Sequence, residues 1–243
     1  MSHSKAIGSG KLCNQIIRNI ALSIVAEKFD LKAEYQSIEK MKELGVPIFS
    51  GKNIYSSNQK FSQINKFDNI KEINYNLETN GYFQHFPNIT YIYNYLQIHK
   101  KNIINKNPWK ERFSNNKDLF IHLRARHIKK YMLDSSYYQH CIDKSKYENI
   151  YLATDNKSHV TVKNLINQYP NIKLVDKSPL KTIQFGSTCS NIILSHGTFS
   201  AMIGYLAYFS ENIYYYNNKP GWCSITLFQE KGFVPINKED LII

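Results

Sequence analysis

Leu119-Phe120-Ile121-His122-Leu123-Arg124, near the middle of the 243-residue chain, is an apolar run that closes on a histidine and an arginine. An uninterrupted apolar run of this length reads as a strand buried on both faces, as in a parallel sheet covered by helices. Ligands of open α/β sheets bind just outside the carboxyl ends of the strands. An arginine at that point suits a phosphate, because its planar fork meets two oxygens at once and stays charged at any working pH. His122 and Arg124 are two residues apart, so on a strand they face the same way, with Leu123 opposite. The competing reading is an ordinary strand end at the surface, to which Arg126 and His127 add charge.

Outward from this strand the sequence alternates. Strands are expected at 149–154, 172–175, 191–194 and 213–216, and helices at 137–146, 159–169 (stopped by Pro170), 182–190 and 200–209. Strands alternating with helices imply a parallel sheet. At the amino end, a short strand runs into the turn Gly8-Ser9-Gly10. A helix over 14–29 follows, with Ile16, Ile17, Ile20, Ile24 and Val25 at helical spacing, and then a strand at 31–35. Residues 51–80 are polar and weakly patterned, and 92–104 has helical character. The stretch 105–118, with Pro108, reads as a linker. The expected fold class is therefore α/β, with one domain over 1–110 and a second over 111–243.

Three further segments carry candidate chemistry. Gly8 to Gln15 joins a strand to a helix, where glycines allow close approach of a ligand and helix amides favour anions. Asn14 and Gln15 there could offer amide hydrogen bonds to a sugar or phosphate. The spacing fits neither G-x-G-x-x-G nor a P-loop, so a plain turn before a helix is the other reading. Asp155, after the strand at 149–154, could accept hydrogen bonds from a base or ribose, or cap a helix. Ser195-His196-Gly197-Thr198-Phe199-Ser200 sets small hydroxyl residues and a glycine before a helix, as in a phosphate cradle. A hydrolase is disfavoured because Gly-x-Ser-x-Gly is missing.

Composition bounds the rest. The net charge is +12, with abundant Asn, Ile, Lys and Tyr. A basic surface attracts polyanions, although AT-rich coding also enriches Lys. There is no long run of consecutive Lys and Arg, so a nucleic-acid partner is not expected. Cys13, Cys141, Cys189 and Cys223 are scattered without a C-x-x-C pair, so a metal site is not expected. Residues 192–209 carry no Asp, Glu, Lys or Arg. Their polar first half favours a loop and a buried helix over a membrane span. With no secretory signal read at the start, a cytoplasmic location is expected.

Taken in order, these segments resemble the fucosyltransferase superfamily, which includes α1,2-, α1,6- and protein O-fucosyltransferases. Gly8-Ser9-Gly10-Lys11-Leu12-Cys13-Asn14-Gln15 is similar to G-G-x-G-N-Q, with Cys13 in place of a glycine. Gly81-Tyr82-Phe83-Gln84 is similar to G-Y-[WF]-Q, and His122-Leu123-Arg124 to the start of H-x-R-x-G-D. Tyr151-Leu152-Ala153-Thr154-Asp155-Asn156 is similar to Y-[LV]-A-T-D-D, and Ser195 to Ser200 to S-x-[ST]-F-S. The resemblance spans nearly the whole chain.

It implies a GT-B architecture, two Rossmann-like domains around a cleft, and inverting transfer of L-fucose from GDP-fucose to a glycan hydroxyl. No metal or other cofactor is implied beyond the GDP-sugar co-substrate. It further implies that Arg124 holds the β-phosphate, that His122 contacts donor or acceptor, and that Asp155 helps hold the guanosine. Ser195, Gly197, Thr198, Phe199 and Ser200 would enclose the pyrophosphate, and Asn14 and Gln15 would serve the donor from the first domain. Arg126 and His127 stand where the family has Gly-Asp, and Asn156 replaces an aspartate. Asp134 and His127 are the candidates for the base. A non-catalytic nucleotide-sugar or glycan-binding relic of the same fold is the alternative.

Overall fold

The amino-terminal pattern of short strand, glycine turn, helix and strand folds as β1 (Ser4–Lys5), α1 (Leu12–Phe29) and β2 (Ala33–Glu34), with the two strands parallel. In this computed structural model the described residues are 4–5, 10–54, 83–84, 86–126, 132–217 and 225–241. The chain divides into two compact units, Met1–Asn107 and Pro108–Ile243.

In the first unit, α1 buries Ile16, Ile17, Ile20 and Val25, as their spacing requires, but also Arg18, Asn19 and Ser23. The helix is therefore enclosed on nearly every side, and its polar residues are tied inward. Asn19 Nδ2 donates to the Gln36 carbonyl at 2.6 Å, and Ser23 Oγ accepts the Phe49 N–H at 2.8 Å. The strand expected over 31–35 is shorter because neighbouring backbone groups bond elsewhere. Lys32 N–H donates to Asn53 O, and Ala33 N–H to Ser50 Oγ. α2 (Ile38–Leu44) stops at Gly45, whose φ is +81° and whose missing Cβ would sit 2.7 Å from the Asn102 carbonyl oxygen. The helix expected over 92–104 is two helices, α3 (Asn88–Ile98) and α4 (Lys100–Lys106), which meet at His99.

The second unit holds β3 (Asp118–Leu123), α5 (Ser135–Lys144), β4 (Asn149–Thr154), α6 (Val160–Gln168) and β5 (Ile172–Leu174). It continues with α7 (Pro179–Gly186), β6 (Asn191–Ile193), α8 (Thr198–Tyr205), β7 (Asn212–Tyr216), α9 (Ile225–Glu230) and β8 (Val234–Ile236). The strands form one parallel sheet in the order β5-β4-β3-β6-β7-β8. Counted from β3, this is the 3-2-1-4-5-6 order of dinucleotide-binding sheets. The unit is thus a Rossmann-like α/β fold.

All of β3 is buried, and its alternation sorts the two layers. Leu119, Ile121 and Leu123 pack in one core with Tyr137, Tyr138, Cys141 and Ile142 of α5 and with Val162 and Leu165 of α6. On the other face Phe120 meets Phe185 of α7, ring centroids 6.2 Å apart. Each such fully buried side chain contributes roughly 1.5–3 kcal/mol. α8 buries Ser200 to Tyr205, which accounts for the charge-free run at 192–209 as a core strand, loop and helix. Among the described residues no helix is long and apolar enough to cross a membrane.

At the amino end of the sheet Arg112 closes the opposite pole. Its Nη2 donates to Asp118 Oδ2 at 2.6 Å and its Nε to Thr188 Oγ1 at 3.1 Å, while the guanidinium lies 4.7 Å from the Phe185 ring centre.

Candidate functional site

The chain leaves β3, adds β4 and β5 on one side, then crosses to place β6 on the other. The order therefore reverses between β3 and β6, and the crevice at their carboxyl ends is where this fold binds ligands. His122 to Arg124 leave β3 at that point, and Ser195 to Ser200 leave β6 there. Residues 71 positions apart are brought into contact, with the Arg124 N–H donating to Ser195 Oγ at 3.3 Å.

The local hydrogen bonds form a collar around the backbone at the exit of β3. From the β6 side Ser195 Oγ holds the Arg124 N–H. From the β4 side Asp155 Oδ1 accepts the Ala125 N–H at 2.7 Å. Tyr138, buried in α5, donates its hydroxyl to Ser195 Oγ at 3.2 Å. Its neighbour Tyr137 donates to the Leu194 carbonyl at 2.8 Å and the Tyr214 carbonyl at 3.3 Å, pinning β6 and β7. Burial drives both phenols well above their ordinary range, so they remain donors. The Ser195 N–H donates to Ser200 Oγ at 2.9 Å, and that oxygen is 2.5 Å from His122 Nδ1.

Several residues singled out from sequence thus have partners of their own. Asp155 is neither a helix cap nor directed wholly outward, because one oxygen clamps the exit of the neighbouring strand β3. His159 caps α6 instead, accepting the Thr161 N–H at 3.2 Å. Ser200 is 1% exposed and bonded within the fold, so its hydroxyl does not line an open cradle. Ser195 differs: it accepts from both Arg124 and Tyr138, which fills its two lone pairs and leaves its own hydrogen to donate.

His122 is 7% exposed, with its ring centroid 4.8 Å from that of Phe199. Burial pulls its pKa from the ordinary 6.5 to about 4; Asp155 opposes this and the Arg124 charge adds to it. The imidazole is therefore neutral at pH 7, which makes it a weak general base.

The N-terminus of α8 opens on the same crevice. Gly197 sits at φ 98°, ψ 169°, a conformation essentially reserved for glycine, and no side chain caps the helix. The half-buried Thr198 and Phe199 begin its first turn. The first-turn amides of a helix together with its dipole favour an anion. His196, within the same segment, is half-buried beside Tyr216 with ring centroids 6.3 Å apart. Burial and then the Arg124 charge lower its pKa.

Asn14 and Gln15 belong to the first unit. Asn14 Oδ1 accepts from Gln84 Nε2 at 3.1 Å, so two of the quoted motifs meet. Gln15 donates to the Gly10 carbonyl at 3.1 Å and accepts from Ser37 Oγ at 2.7 Å. Asp134 is exposed at the start of α5, while Gly8, Ser9, Gly81, Tyr82, His127 and Cys223 lie outside the described residues.

No protein-family model and no curated protein matches the chain. Among the described residues no group of three or more His, Cys, Asp or Glu could hold a metal ion.

Proposed function

We propose that the chain is an inverting, GDP-sugar-dependent glycosyltransferase that passes L-fucose from GDP-fucose to a glycan hydroxyl, with its two units as the Rossmann-like halves of a GT-B enzyme. The observation that carries this reading is the meeting of the Arg124 backbone with Ser195, just ahead of the start of α8, at the reversal of strand order. The ordered resemblance of five segments supplies the sugar nucleotide and the reaction class.

On this reading the diphosphate lies between the Arg124 guanidinium and the amides of Gly197, Thr198 and Phe199, with Ser195 donating its remaining hydrogen. As the bond from the anomeric carbon to the β-phosphate oxygen breaks, negative charge gathers on the diphosphate. A fixed cation and fixed amides stabilise it without rearrangement. The acceptor hydroxyl attacks the oxocarbenium-like carbon from the opposite face, which inverts the configuration. Asp134, exposed at the start of α5, is the described one of the two candidates to take the acceptor's proton.

Calorimetry with GDP, with slow hydrolysis of GDP-fucose as a second readout, tests the proposal. Absence of GDP binding at millimolar concentration refutes it. Arg124→Ala is expected to weaken GDP roughly ten- to a hundredfold, the worth of a charge-assisted phosphate contact, with unchanged circular dichroism. One observation favours a second reading, a binding relic without turnover: His122 is neutral and Asp155 is engaged with the backbone, so phosphate donors persist without a strong base beside them. GDP binding with no transfer across an acceptor panel would select it.

A further inference from the structure

We infer that Asp155 is a positioning residue that sets the place of the Arg124 guanidinium through the backbone, an inference that rests on the phosphate reading of Arg124. The β3–β4 register pairs Leu123 with Thr154, so Asp155 stands beside Arg124 one step beyond the sheet. There the ladder has ended, and the exit of β3 would be loose without other partners. Asp155 Oδ1 replaces the ladder by accepting the Ala125 N–H at 2.7 Å.

The carboxylate is itself aimed by its neighbours. Thr154 Oγ1 accepts the Asn156 N–H at 3.2 Å, and Asn156 Oδ1 accepts the Ser158 N–H at 3.1 Å. These two small turns fix the backbone on either side of Asp155. With Ser195 holding the adjacent Arg124 N–H, two consecutive amides are gripped from the two neighbouring strands. The Arg124 side chain leaves the sheet from a backbone with little freedom to shift, as a preorganised phosphate contact requires.

The inference separates from direct nucleotide contact by its dependence on the base. Binding of inorganic pyrophosphate and of GDP is measured calorimetrically for the wild type, Asp155→Ala and Asp155→Asn. A positioning role predicts that D155A weakens both ligands by the same factor, roughly ten- to a hundredfold. D155N, whose amide oxygen still accepts from Ala125, recovers both to within about fivefold of wild type. A loss confined to GDP, with pyrophosphate affinity intact in D155A, makes Asp155 a nucleoside contact and overturns the inference while leaving the phosphate role of Arg124 standing. Equal losses in D155A and D155N also overturn it, because the carboxylate charge rather than the Ala125 bond would then matter. Failure of the wild type to bind either ligand removes the phosphate reading and this inference with it.

Discussion

Below pH 6.5 the burial of His122 should destabilise the protein, and removing the imidazole should remove that pH dependence. The ring is 7% exposed and its pKa falls from the ordinary 6.5 to about 4, with burial as the chief cause. The sign follows from proton counting. Between the two values the unfolded chain binds the proton and the folded chain does not, so unfolding gains as pH drops. The stabilising contribution is complete above pH 6.5, is lost progressively as pH falls, and is gone once pH passes the folded value. A gap of that size corresponds to about 3 kcal/mol in all, with roughly 2 kcal/mol already lost at pH 5. His122→Asn is the informative variant, because its amide takes the place of Nδ1 beside Ser200 and does not titrate. Urea unfolding of both proteins at pH 7.5 and pH 5 gives the measurement. The wild type should lose about 2 kcal/mol more than H122N over that interval. His196, lowered in the same direction, remains in both proteins and cancels in the comparison. Equal losses in the two proteins would refute the claim that His122 is held neutral by burial.

Three other perturbations have defined outcomes. Gly186→Ala would place a methyl 2.7 Å from the Phe120 ring, so it should destabilise by about 1–3 kcal/mol in a denaturant titration. Arg112→Ala leaves the Asp118 side chain, 4% exposed, without its cation at the amino pole of the sheet, and a loss of about 3–5 kcal/mol is expected. Gly197→Ala forces a side chain into φ 98°, ψ 169°; a cost of about 1–3 kcal/mol should appear as a lower Tm together with weaker GDP binding.

The sheet was the legible part of the sequence, because buried parallel strands are written as apolar runs. Asn149 to Thr154 is a strand at the boundaries its composition indicates, and β3, β6 and β7 differ by a residue or so at an end. α7 begins at Pro179 rather than 182, although Ser178-Pro179 is an ordinary helix-start signal, with proline at the first position. β8 escaped because Pro235 lies within its three residues; a proline weakens a strand reading, and it is tolerated here because β8 is the sheet edge. Tyr138 gave no hint of its role. Sequence places it within a helix, but its hydroxyl's reach to Ser195 depends on how α5 crosses the sheet.

The candidate site shows why residue type locates a site more readily than it assigns roles within it. Ser195 and Ser200 are the same residue in one short segment, yet they differ in what they can give a ligand. Ser195 has both lone pairs filled by Arg124 and Tyr138, so its own hydrogen is left to donate. Ser200 receives the Ser195 N–H and faces His122, so it serves the fold. The same division separates the charged groups. Asp155 gives one oxygen to the β3 exit, His122 is neutral by burial, and Arg124 leaves β3 at the crevice where α8 begins. These groups meet at one strand crossing, set apart from the distributed net charge of +12. Some lysines elsewhere on the surface face carboxylates, as Lys117 faces Glu148 and Lys157 faces Asp176. Anion selectivity at this crevice should accordingly follow the geometry of Arg124 and its collar, and it should survive neutralisation of distant lysines.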